Sequence, residues 1–439
     1  METEYIPFSR PHVGKEEEEA VLRVLRSGWL TTGAEALTFE KEFAVFLEAG
    51  TVSSPAETVL SDSNRGGGPP PLWALAVNSA TSGLHLALEA CGIGPGDLVL
   101  LPSYTFTATA EAARYLGAEP VFVDVAPGSF HMDTDALERT LARLDAGLPA
   151  YPRRGGFGPR GKAKAVIPVH YGGLPCDMDR IGEIARRRGL RVIEDAAHSF
   201  PSRIPAVPAG TGDSRKAGTG DSRFAGTLGD VGVFSFYATK TITTGEGGMV
   251  VSRDQALVNR ISIMRSHGID RTVWNRYTDK RASWYYEVVE AGFKYNIPDI
   301  LAALGRVQLK KARFLLEKRE AIARRYDEAF GGDGHFFLPP TGVADARHLY
   351  PLRLNLEELS LTREGFIEKL QEQGIGVSVH FIPLHTMPYY RQRYALKAED
   401  FPESVKSFKG VISLPIWPGM EENHLERVIT AVKKTADMS

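Results

Sequence analysis

Two stretches decide how this chain is read: Val192-Ile-Glu-Asp-Ala-Ala-His198 and Ser235-Phe-Tyr-Ala-Thr-Lys-Thr-Ile-Thr-Thr-Gly-Glu-Gly-Gly248. The first ends a short apolar run on an acid, Asp195. The second sets Lys240 among small hydroxyl and glycine residues, between the apolar runs Val231-Gly-Val-Phe-Ser-Phe236 and Gly247-Gly-Met-Val-Val-Ser252. Runs of this length and composition read as strands, so Lys240 lies on a strand-turn-strand element and Asp195 at a strand end. Working outward, Val99 to Pro102, Pro120 to Val125 and Ala163 to His170 also read as strands. Asp135 to Leu144, Asp177 to Arg188 (ended by Gly189) and Asp254 to Ser266 read as helices. Near-continuous Val/Ile runs alternating with helices predict an α/β fold, with a mostly parallel sheet flanked by helices on both faces.

Beyond this region a long helical pattern runs from Asp299 to Phe330 and breaks at Gly331-Gly-Asp-Gly334. Arg347 to Ser439 then reads as a smaller C-terminal α+β unit, with a strand at Leu349 to Leu354 and a helix at Arg363 to Gln373. The expected division is a large domain over 1–270, and a linking helix with the small domain over 271–439. Two segments read as insertions. Residues 53–71 are rich in Ser, Gly and Pro, and 202–223 hold a tandem repeat, Gly210-Thr-Gly-Asp-Ser-Arg215 and Gly218-Thr-Gly-Asp-Ser-Arg223. Their composition suits surface loops, with a lid over the active site as the alternative for the second.

The chain has 439 residues, 43% hydrophobic and 24% charged, which suits an ordinary globular enzyme of two or three domains. A formal net charge of −2 favours neither nucleic acid nor an anionic membrane. Cys91 and Cys176 lie in apolar surroundings, with no CxxC and no histidine at ligand spacing. They read as buried thiols of a reducing compartment, and no metal site is expected. The first residues lack a basic and apolar leader pattern, and no apolar run reaches the ~20 residues of a membrane span. A cytoplasmic enzyme is the expectation.

A lysine in such a turn, paired with a strand-end aspartate, suits pyridoxal phosphate, which needs an amine for its Schiff base and an acid to keep its ring nitrogen protonated. Asn78-Ser-Ala-Thr-Ser-Gly83 leads from a strand-like run into a helix, and a helix start offers free N–H groups to a phosphate. An ordinary helix cap is the competing reading. Asp195 is either the ring-nitrogen partner or a turn cap, and Lys240 downstream favours the former. His198 is either beside the cofactor's phenolic oxygen or a satisfied core histidine. Phe106, after a strand end, either stacks on the ring or packs in the core.

In this order the motifs resemble the fold-type I pyridoxal phosphate enzymes, and within them the nucleotide-sugar aminotransferases of the DegT/StrS type. The resemblance is carried by Val21 to Gly33, Asn78 to Gly83, Glu194 to His198, Ser235 to Gly248, Gly292 to Ala303 and His380-Phe-Ile-Pro-Leu-His385. It implies that Thr81, Ser82 and Ser235 bind the phosphate, Asp195 the pyridine nitrogen, and Lys240 the aldehyde carbon. His198 then lies by the ring and Phe106 stacks on it. Asn296 would reach the phosphate of the partner subunit, so the active enzyme would be a homodimer. Trp29, Thr31, Thr32, His380 and His385 would line the sugar-nucleotide side. The Lys294-Tyr-Asn296 form is most similar to the branch acting on UDP-4-keto sugars, such as the 4-amino-4-deoxy-arabinose transaminase. The implied reaction moves an amino group from L-glutamate to a nucleotide-linked keto sugar, in surface-polysaccharide or aminosugar biosynthesis. A 3-keto-sugar aminotransferase, a pyridoxal-phosphate-dependent sugar dehydratase and a non-catalytic sensor of the same fold are the alternatives. The dehydratases of this family replace the lysine that is present here as Lys240.

Overall fold

Why the motifs meet follows from the central sheet. In the computed structural model, residues 4–49, 70–151, 159, 161–204, 222–270, 285–342 and 344–438 are described. The expected insertions at 53–71 and 202–223 fall almost wholly outside these residues. The strands are β1 (Trp73–Val77), β2 (Asp97–Pro102), β3 (Glu119–Val123), β4 (Lys162–Val166) and β5 (Arg191–Asp195). A two-residue pair follows, β6 (Arg203–Ile204) with β7 (Arg223–Phe224), then β8 (Val231–Ser235) and β9 (Gly248–Ser252). The main sheet runs β1-β9-β8-β5-β4-β2-β3. Only β9 is antiparallel to its neighbours, so the sheet is mostly parallel, as the sequence indicates. All residues of β2, β8 and β9 are buried, which is why these segments read as unbroken apolar runs.

Helices cover both faces. On one side α3 (Ala80–Ala90), α4 (Thr107–Tyr115), α5 (Thr134–Asp145), α6 (Met178–Arg188) and α7 (Gln255–Met264) pack on the aliphatic face of the strands. The caps follow from side chains: Asp177 accepts the Arg180 N–H at 3.0 Å at the start of α6. On the other side Phe39, Phe43 and Phe46 of α2 (Ala34–Ala49) meet Phe200, Phe234 and Phe236. The Phe43 ring lies 5.0 Å from Phe200 and 5.2 Å from Phe234. This aromatic layer sits directly beneath β8, the strand that leads to Lys240.

The helical pattern over 299–330 is not one helix. It breaks at Lys311 into Asp299–Lys310 and Ala312–Phe330. The Lys311 ammonium turns to α1 (Lys15–Ser27), where it bridges Glu16 at 2.6 Å and Glu17 at 2.8 Å. The smaller unit has a three-stranded antiparallel sheet of Phe336–Phe337, Tyr350–Leu354 and Val411–Leu414. Its core also takes in Ile6 from the chain's start, which pairs with Ile375. In return, Tyr390, Tyr394 and Phe401 pack into the main core. Asp124, just after β3, accepts the amides of Glu403 (3.0 Å) and Ser404 (2.9 Å) at the start of the helix Pro402–Gly410. Cys176 is buried, but Cys91 is only half-buried, with its thiol pushed up to about 12 by burial. Among the described residues no helix is long and apolar enough to cross a membrane.

One buried ion pair ties the edge of the sheet to the segment carrying Asn296. Arg265 Nη1 donates to Glu40 (2.5 Å) and to the Ala76 carbonyl (2.7 Å), while its own carbonyl accepts the Tyr295 N–H. Removing one partner strands the other charge in the interior. Arg265→Met is therefore expected to lose about 3–5 kcal/mol in urea unfolding. Adding Glu40→Gln, which leaves no buried charge, is expected to recover part of that loss.

Candidate active site

The carboxyl ends of the strands open onto a cavity of about 440 Å³, where ligands of open α/β sheets bind. Asp195, Lys240, Ser235, Thr81, His198, Phe106 and His380 all line it, so seven of the residues singled out in the sequence converge. The sheet explains this. β5 ends at Asp195, β8 ends at Ser235, and the turn between β8 and antiparallel β9 presents Lys240 at the same edge.

Asp195 is buried, and burial raises its pKa, opposed by the Thr109 hydroxyl, the Ala197 N–H and Lys240. Thr109 donates to Oδ2 at 2.8 Å and Ala197 N–H to Oδ1 at 3.2 Å. Because the Thr109 proton is committed to Asp195, Thr105, 2.9 Å away, donates in turn to Thr109. The relay leaves Asp195 an acceptor in need of a positive partner. Lys240 Nζ has no hydrogen bond or ion pair among the described residues, and its pKa is lowered to about 8 by burial, with Arg319 adding to the shift and Asp195 opposing it.

At the start of α3, Ser79 accepts the Ser82 N–H at 3.1 Å, and the Ser82 hydroxyl turns to Asn78 Oδ1 at 2.6 Å. Ser82 is thus spent on the cap. The amides of Ala80 and Thr81 have no carbonyl four residues back inside the helix, and they face the cavity. Gly248 lets β9 come this close, since a Cβ there would lie 2.8 Å from the Ala80 nitrogen. The Gly172 N–H donates to His198 Nδ1 at 3.2 Å, so the imidazole proton sits on Nε2. Burial lowers the pKa of His198 well below its ordinary value. Phe106 is 56% exposed at the mouth, its ring 5.7 Å from that of Phe381.

The other sequence candidates lie elsewhere. His385 is fully buried, stacked at 4.4 Å on Phe401, and does not line the cavity. Its apolar surroundings set it in the core. Trp29, Thr31, Thr32 and Asn296 form a separate corner. Asn296 Nδ2 donates to Thr32 Oγ1, which donates to the Ile297 carbonyl, and the Trp29 indole donates to the Thr32 carbonyl at 3.3 Å. Asp299 anchors the corner by accepting the amides of Gly33, Glu35 and Ala36. Four residues at or beside the site were given no role from the sequence: Ser79, Thr109, Glu194 and His348. Ser79 and Glu194 lie within the quoted motifs, Asn78 to Gly83 and Glu194 to His198, whereas Thr109 and His348 lie in none.

An acid, a free amine and an anion-receiving helix start facing one cavity form the donor set that pyridoxal phosphate requires. The comparisons agree. The model of the DegT/DnrJ/EryC1/StrS aminotransferase family matches residues 11–57 and 72–433. The spore coat polysaccharide biosynthesis protein SpsC of Bacillus subtilis is 38% identical over 432 residues, covering 98% of this chain and 96% of its own. The putative sugar aminotransferase Spr1654 from Streptococcus pneumoniae, solved in its PMP form, is 27% identical with a TM-score of 0.78, covering 99% and 98% of the two chains. The same protein is also solved in its PLP form. Helicobacter pylori PseC, an aminotransferase involved in the biosynthesis of pseudoaminic acid, is 26% identical with a TM-score of 0.78, covering 100% of both chains. The chain belongs to the DegT/DnrJ/EryC1/StrS aminotransferase family. It is a pyridoxal-phosphate-dependent aminotransferase.

Two measurements on the cofactor-free protein check the geometry. Lys240 is charged below its pKa and neutral above it, so its acylation in competitive labelling is expected to rise through about pH 8. An unperturbed lysine would do so near pH 10.4. Histidine-selective ¹⁵N NMR is expected to show His198 as the Nε2–H tautomer throughout pH 6–8; a protonated ring in that range would contradict the Gly172 bond.

Proposed function

We propose that the protein transfers an amino group from L-glutamate to a nucleotide-linked keto sugar, with the keto group at C4. The observation that carries the reading is the convergence of Asp195, Lys240 and the start of α3 on one cavity with an open, aromatic mouth. The sugar assignment is supported by the names of relatives that are a sugar aminotransferase, a spore coat polysaccharide biosynthesis protein and an enzyme of pseudoaminic acid biosynthesis. The C4 position rests on the Lys294-Tyr-Asn296 form.

When bound, pyridoxal phosphate supplies an aldehyde for amines and a ring that draws electrons from the bond being broken. The remaining tasks belong to the chain. The Ala80 and Thr81 amides and the Ser235 hydroxyl receive the phosphate, aided by the positive end of α3. Asp195 holds a proton at the ring nitrogen, because its buried charge demands a cation. His198 presents Nε2–H toward the cavity, and Phe106 covers a ring face. Lys240, an amine of lowered pKa, would take the proton from the donor's α-carbon in the first half-reaction and would deliver a proton to the former ketone carbon of the sugar in the second. His380, its pKa lowered to about 4 by burial and held by Ser413 at 2.9 Å, is a neutral group on the sugar side.

Asn296 does not line the cavity of its own chain, although its backbone pairs with Val77 just before α3, and Leu22, Leu25 and Leu30 of α1 and the turn after it are exposed. This supports a homodimer in which Asn296 serves the partner's phosphate. Lys240→Ala and Asn296→Ala chains are each expected to be nearly inactive. A mixed dimer holds one doubly damaged site and one intact site, so activity is expected to return on subunit exchange. Verified heterodimers without activity would refute the shared site.

Asp195→Asn is expected to keep the fold and slow turnover at least ~100-fold, the lower end of what a positioned catalytic group supplies. Substrate identity is tested by incubating the aminated enzyme with a panel of nucleotide-linked keto sugars and locating the new amine by NMR. No aminated product from any 4-keto sugar would overturn the reading.

A further inference from the structure

One imidazole of the cavity wall is held in place but hydrogen-bonds to nothing. His348, just before the strand Tyr350–Leu354, lines the cavity and is 4% exposed. Its Nδ1 is buried without a partner, and its ring makes no hydrogen bond among the described residues. The main chain around it is pinned on both sides. Its carbonyl accepts from Arg319 Nη1 at 3.2 Å, and the next N–H, of Leu349, donates to the Gly172 carbonyl at 3.1 Å. The N–H of the same Gly172 holds His198, whose ring lies 4.5 Å from that of His348. One glycine thus sets two imidazoles side by side on the wall.

Burial lowers the pKa of His348 well below its ordinary value, so the ring is uncharged. An orphaned N–H costs more than an orphaned lone pair, so the single proton belongs on Nε2 and not on buried Nδ1. His348 therefore carries a fixed N–H donor with no acceptor among the described residues. The rest of the wall narrows what that acceptor is. Among the described residues lining the cavity, Lys240 is the only lysine or arginine, beside the acids Asp195 and Glu246. The Thr105 and Thr109 protons are committed toward Asp195, and Tyr237 is exposed to water.

An amino donor brings its α-carboxylate on the same carbon whose proton Lys240 takes, so the receptor for that carboxylate must share a cavity with the lysine. We propose that the His348 Nε2–H receives the α-carboxylate of the amino donor. An arginine would grip a carboxylate harder, through two parallel hydrogen bonds. The same cavity must then take a nucleotide-linked sugar, and a guanidinium left there would be a buried charge without a partner. An imidazole N–H serves a carboxylate and then a sugar hydroxyl, with no charge left over. That reason for a histidine rests on the sugar reading; the receptor itself rests only on the donor being an α-amino acid.

The test compares two amines on the cofactor-loaded enzyme, with binding followed by the cofactor's absorbance. 2-Methyl-L-glutamate has the α-carboxylate but no α-proton to lose, so affinity is read without turnover. 4-Aminobutyrate is glutamate without the α-carboxylate. His348→Phe fills the ring's space with no donor, and His348→Gln restores an N–H. For 2-methyl-L-glutamate, Kd is expected to rise at least ~10-fold in His348→Phe and less than ~3-fold in His348→Gln, as for a hydrogen bond to a charged group. For 4-aminobutyrate, both variants are expected to stay within ~2-fold of the unsubstituted enzyme, since the truncated ligand has lost the same contact. Unchanged affinity of His348→Phe for 2-methyl-L-glutamate would overturn the proposal. So would equal weakening for the two amines, which marks general damage to the site. His348→Leu gives the same comparison if the larger ring does not fold. An unsubstituted enzyme that binds 2-aminoisobutyrate but not 2-methyl-L-glutamate would count against L-glutamate as donor. The His348 comparison is then read on 2-aminoisobutyrate against isopropylamine, with the same outcomes for and against.

Discussion

Two adjacent buried carboxylates, Glu194 and Asp195, are the constraint on which the site depends. Side chains alternate along a strand, so one points away from the cavity as the other points in. Glu194 accepts from His170 Nε2 (2.9 Å) and from the amides of Gly226 (2.8 Å), Leu228 (2.6 Å) and Gly229 (2.6 Å). Burial alone would raise its pKa, but these donors, His170 foremost, bring it below the ordinary carboxylate range. The Cys176 N–H donates to His170 Nδ1 at 3.0 Å, which turns Nε2 toward Glu194. Glu194 is therefore a structural anion, fully satisfied by the fold. Asp195 is left with two hydrogen bonds and a cavity, which is what a binding carboxylate needs.

The turn that Glu194 holds leads directly into β8. Gly226 adopts φ +89°, and a Cβ there would come 2.4 Å from the Phe234 ring, so the turn packs against the strand it introduces. β8 then brings Ser235 to the cavity, and the turn after it brings Lys240. The aromatic layer of α2 fixes the strand's height from below. Serine, acid and amine are thus set by one sheet edge, and among the described residues the smaller unit adds His348, His380 and Phe381. That division suits a site whose cofactor end must stay constant while its mouth selects the substrate.

The strands, the lysine turn and the acid were legible because each is local: an apolar run ending in a chemically exposed residue. The helix break at Lys311 was not, and the ammonium's partners there, Glu16 and Glu17, lie almost three hundred residues away in sequence. Thr109 was unreadable for the same reason, since it reaches Asp195 across 86 positions. His385 shows the converse: it stacks on Phe401 at 4.4 Å and does not line the cavity, which its spacing from His380 does not reveal.

The corner around Asp299 carries the same logic outward. A buried carboxylate accepts three amides at the start of α2, which fixes the Trp29 to Gly33 turn, and that turn in turn holds Asn296 through Thr32. The Asn296 carbonyl oxygen Oδ1 is buried without a partner, so the amide is only half satisfied. A site completed by the chain alone would not leave a polar atom in this state beside exposed leucines. In the proposed dimer, two such corners would meet and set each amide beside the other chain's helix start. Association would then complete the cofactor site as well as bury apolar surface, so phosphate affinity and dimer stability would be thermodynamically linked.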